Sequence, residues 1–200
     1  MGQHLEFIFL SDEKIEQDKL RGVLAKLGVT GRKWDGYLTG GGYGWMTWAG
    51  SVAPVGLFAG SYDGAWEMHF VRLGFDSAVL RKLANLGDRK RLLDEFLSIG
   101  SRLWGAFPFY EGELSPEEEG GLLYPSRQST IEEIRRVLPV NNFARFLSAD
   151  AVQLVQPYRW VPQAHPNSTI TAVDRESLLV VWDASNEGLA RFLSVEFSIK

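Results

Sequence analysis

Two hydrophobic periodicities alternate along this chain, and their order limits the fold more than any other feature. LEFIFL (5–10) reads as a strand. Leu20, Val23, Leu24 and Leu27 then recur at helical spacing up to Gly28, the expected stop. Ser11 stands where it can cap that helix, and Asp12 and Glu13 suit its positive end, so the pattern predicts an amphipathic helix over 12–27. Strand patterns follow at 43–49, 55–59 and 65–73, with SYDG (61–64) as a hairpin turn. In AWEMHFVRL, Trp66, Met68 and Phe70 alternate with Glu67 and His69, which predicts a half-buried strand with the apolar set toward the core.

Helical spacing returns with Asp76, which can cap a short helix carrying Val79, Leu80 and Leu83 and stopped at Gly87. Asp88 can cap a second helix striped by Leu92, Phe96, Ile99 and Leu103, with Gly100 and Gly105 weakening its end. The Pro, Gly and acidic residues of AFPFYEGELSPEEEGG predict a solvated loop. Thr130 and Glu133 form a capping box for STIEEIRRVL, and Ser148 can cap a short helix through Leu154. Strands are expected at 158–161, 168–173, 178–182 and 193–199, with NEGLARF a helical turn or loop between the last two. Strands, then helices, then strands imply an α+β fold: an antiparallel sheet with helices packed on one face. One domain accounts for 1–200, with the acidic loop at 112–128 as the place for a sub-boundary.

A hydrophobic content of 45% supplies a sizeable core. The net charge of −4 argues against a general nucleic-acid binder, which needs a basic face to neutralise phosphates. The chain has no cysteine, so disulfides, thiolate metal sites and cysteine nucleophiles are absent, which fits the cytoplasm. The N-terminus lacks the basic and long apolar regions of a secretory signal, and no run reaches the roughly 18 apolar residues of a membrane span.

The glycines of LTGGGYGWMTWAG (38–50) match neither the Walker nor the Rossmann phosphate signature, so no nucleotide cofactor is expected. They read as a sharp bend close to bulky rings, or as an exposed loop that presents Tyr37, Tyr43 and Trp45 to a partner. The histidines His4, His69 and His165 are isolated, and no metal is expected; a spatial metal site could use His69 with Glu67, which share a strand face. Ser61, Asp63 and His69 supply the residue types of a nucleophilic triad without its motif, so no catalytic residue is assigned. Glu117, Glu118 and Glu119 form an acidic run that can steer a basic partner.

The helix RLLDEFLSIGSRLWGAF runs into FPFYEGEL, and LPVNNFARFLSADAVQLV precedes a strand pair near ESLLVVWDAS. That layout resembles small bacterial immunity proteins of polymorphic toxin systems, although Glu111 interrupts the Tyr-Gly phrase usual there. The resemblance implies a cytoplasmic, non-catalytic binder that neutralises a toxin, for example a basic nuclease. The contact residues expected for such a role are Glu117, Glu118 and Glu119, with Tyr37 and Tyr43 as aromatic anchors. Two alternatives remain: a small-molecule or carbohydrate binding module lined by Trp34, Trp45, Trp48 or Trp66, and an enzyme with an unrecognised site around His69.

Overall fold

The computed structural model describes residues 4–38, 41–63, 69–116, 144–147, 169–172, 178–181 and 185–199. In chain order the elements are β1 (His4–Ser11), α1 (Gln17–Lys26), β2 (Val29–Leu38), β3 (Gly41–Ala49), β4 (Pro54–Asp63) and β5 (His69–Asp76). They continue with α2 (Ala78–Lys82), α3 (Leu86–Trp104), β6 (Phe109–Pro116), β7 (Ala144–Leu147), β8 (Thr169–Ala172), β9 (Leu178–Val181) and α4 (Asn186–Phe197). Among the described residues the strands form one nine-stranded sheet ordered β2-β3-β4-β5-β1-β6-β7-β9-β8. Every recorded pairing is antiparallel, so the expected α+β class holds.

Strand alternation sends Leu5, Phe7 and Phe9 of β1 to one face, beside their register partners Phe75, Leu73 and Val71 of β5. Leu57 and Ala59 of β4, Met46 and Trp48 of β3 and Leu114 of β6 extend this apolar face, and all are buried. The helices pack onto it. Asn85 caps α3 by accepting from the Asp88 N–H at 2.8 Å, so Asp88 lies in the first turn instead of capping. The predicted stripe Leu92, Phe96, Ile99 and Leu103 faces the core. The Phe96 ring lies 4.8 Å from that of Phe7 and 4.9 Å from that of Phe75. Gly100 does not weaken this helix's hold on the sheet. A Cβ there would stand 2.6 Å from Phe7 Cζ, so glycine is what lets the helix settle against the ring.

Several sequence expectations are corrected. The first helix begins at Gln17, not 12, because Ser11 ends β1: its hydroxyl donates to the Pro108 carbonyl and accepts from the Glu13 N–H. Gly28 stops the helix as expected, at φ +78°. β2 was not foreseen, its two glycines and three charges obscuring any alternation. β4 runs through Asp63, so Ser61, Tyr62 and Asp63 are strand, not turn. In β5 the residues in the helix-packed core are Val71, Leu73 and Phe75, while Phe70 lies on the opposite face; Trp66 and Met68 lie outside the described residues. The supposed loop at 106–121 contains β6, hydrogen-bonded between β1 and β7.

The expected strand at 193–199 is instead the end of α4. Ser185 accepts from the Gly188 N–H at 2.9 Å, and Leu189, Leu193 and Phe197 recur every four residues into the core. The helix closes at left-handed Ser198 (φ 52°), with the Ile199 N–H bonded to the Leu193 carbonyl. The expected elements at 129–138, 148–154 and 158–161 lie outside the described residues, as does most of the proposed sub-boundary; its first part, 112–116, is strand β6. Among the described residues no helix is long and apolar enough to cross a membrane.

Candidate functional site

The opposite face of the sheet has a different chemistry. Glu6, Ile8 and Leu10 of β1 point there, and all three are buried. Neither Ile8 nor Leu10 nor the buried Phe58 belongs to the helix-packed core cluster. On neighbouring β6, Glu111, Glu113 and Ser115 occupy the same face at 3%, 7% and 4% exposure. A carboxylate this deep is costly unless charge or hydrogen bonds compensate it.

Arg72 of β5 compensates Glu6. Its Nε donates to Glu6 Oε2 at 2.9 Å and its Nη2 to Oε1 at 2.5 Å, a fork that fits the planar carboxylate. The register explains why they meet: Glu6 stands across from Gly74, and Arg72 is its diagonal neighbour. Gly74 is required by what covers it. A Cβ there would fall 2.5 Å from Phe58 Cζ and 2.7 Å from Glu6 Cβ, so the Phe58 ring crosses the strand beside the carboxylate. The His4 ring meets Phe58 edge-on at 5.1 Å. Ser115 donates to Glu113 Oε1 at 3.2 Å, and Arg145 of β7 is the register partner of Glu113.

Toward the C-terminal end of β4 this face is less buried. Tyr62 and Phe70 are register partners whose rings stack at 5.1 Å and 16°, both half-buried. Arg72 follows Phe70 by two residues, its side chain 28% exposed while the carboxylate it holds is 1% exposed. A Tyr-Phe-Arg patch therefore continues from solvent into a buried charged layer. Such a patch presents rigid planar rings and a guanidinium fixed in place, the groups that anchor contacts between proteins.

The predicted contact residues fall as follows. Tyr37 lies in β2 and Tyr43 in β3, so neither sits on the expected loop. The glycine tract is itself strand from Gly41 onward: Gly42 pairs with Ser61, Gly44 with Ala59 and Tyr43 with Gly60. Gly60 in turn pairs with Arg72, so Tyr43 shares a register row with the patch. Glu117, Glu118 and Glu119 lie outside the described residues, directly after β6. Trp48 is buried beside Phe96 in the core, which removes it from a ligand platform; Trp34 and Trp45 are strand residues, and Trp66 is outside the described residues. Asp63 pairs with His69, and Ser61 with Val71. Among the described residues no three His, Asp or Glu side chains group as metal ligands.

The sequence reading missed Glu6, Arg72, Glu111 and Glu113. A signal existed for two of them: in FYEGELSP the acids stand two apart, the spacing of one strand face. The proline and the following EEE outweighed it. No known family model matches this sequence, and no curated protein matches it.

Proposed function

We propose that this protein is a non-catalytic binder of the immunity type, which neutralises a toxin by covering part of its surface. The observation that supports this reading most is the stacked Tyr62–Phe70 pair beside Arg72, on the sheet face away from the described helices. Aromatic rings and arginine carry a disproportionate share of the energy at protein interfaces, and rings already held by a sheet lose little freedom on binding. The acidic run at Glu117–Glu119 and the net charge of −4 suit a basic partner, steering its approach more than adding affinity.

Co-expression with the toxin-like product of an adjacent reading frame tests the proposal. Growth should recover with the wild-type chain and fail with the Tyr62→Ala/Phe70→Ala variant, provided that variant keeps a cooperative unfolding transition. Protection by a folded double variant would move the contact away from this patch. A wild-type chain that relieves no such toxicity, or that binds a sugar on the same rings instead, would sink the immunity reading.

A further inference from the structure

We draw no further inference here: the strongest candidate, the cluster of buried carboxylates Glu6, Glu111 and Glu113 on the sheet face opposite α3, is an acidic cluster in which Glu6 is bonded to Arg72 and Glu113 to Ser115, and no second observation points to a ligand there.

Discussion

Single residues in this protein are constrained mainly by what lies against them. Gly100 and Gly74 are the clearest cases, because each faces a ring less than 3 Å from where a Cβ would stand. Gly100→Ala should push α3 off Phe7 and cost about 1–3 kcal/mol, read as a lower urea midpoint at unchanged slope. An unchanged midpoint would show that the Phe7 ring moves aside freely. Arg72→Met should cost about 2–3 kcal/mol, since it keeps the stem but removes the donors to a carboxylate 1% exposed. Adding Glu6→Gln to that variant should recover part of the loss in a double-mutant cycle, because the amide is cheaper to bury than the anion. Neither position announces itself in the sequence. Glu6 is one acid within an apolar hexapeptide, and only pairing with β5 shows that it has a cation to meet.

Elements were legible where a local period and a local signal agreed. α3 carried both a stripe and a capping residue near its start, but the cap is Asn85 instead of Asp88, so the helix begins at Leu86 and takes in Gly87, the expected stop of the helix before it. Asn85→Ala should lose about 1 kcal/mol of stability, while Asn85→Ser should keep most of it, checked by thermal unfolding of both variants. Legibility failed where local chemistry contradicted the neighbours. Phe109–Pro116 has glycine, proline and acids, all poor strand formers, yet it lies between β1 and β7 because a long ladder with β1 and a short one with β7 reward its backbone. The last segment failed the opposite way. FLSVEF alternates well enough for a strand, but the Ser185 cap and the four-residue spacing of Leu189, Leu193 and Phe197 make it helix.

The molecule as a whole is organised around β1, the fifth strand of nine, buried on both faces. Its amides should exchange with solvent more slowly than those of β2, the end strand of the sheet among the described residues; hydrogen-exchange mass spectrometry would read the difference. Equal protection in the two strands would mean that the sheet opens only as a unit. The two faces divide the labour: one joins the helices through an apolar core, and the other sets buried charge beside half-buried rings. By itself the sequence determined the class, the places of most described strands and helices and the glycine stop at Gly28, because these depend on contacts a few residues apart. The tertiary structure alone decided that β6 joins the sheet's centre, that Gly100 receives a ring, and that Glu6 meets Arg72 across 66 residues. Such outcomes rest on register between distant strands, which no local pattern encodes.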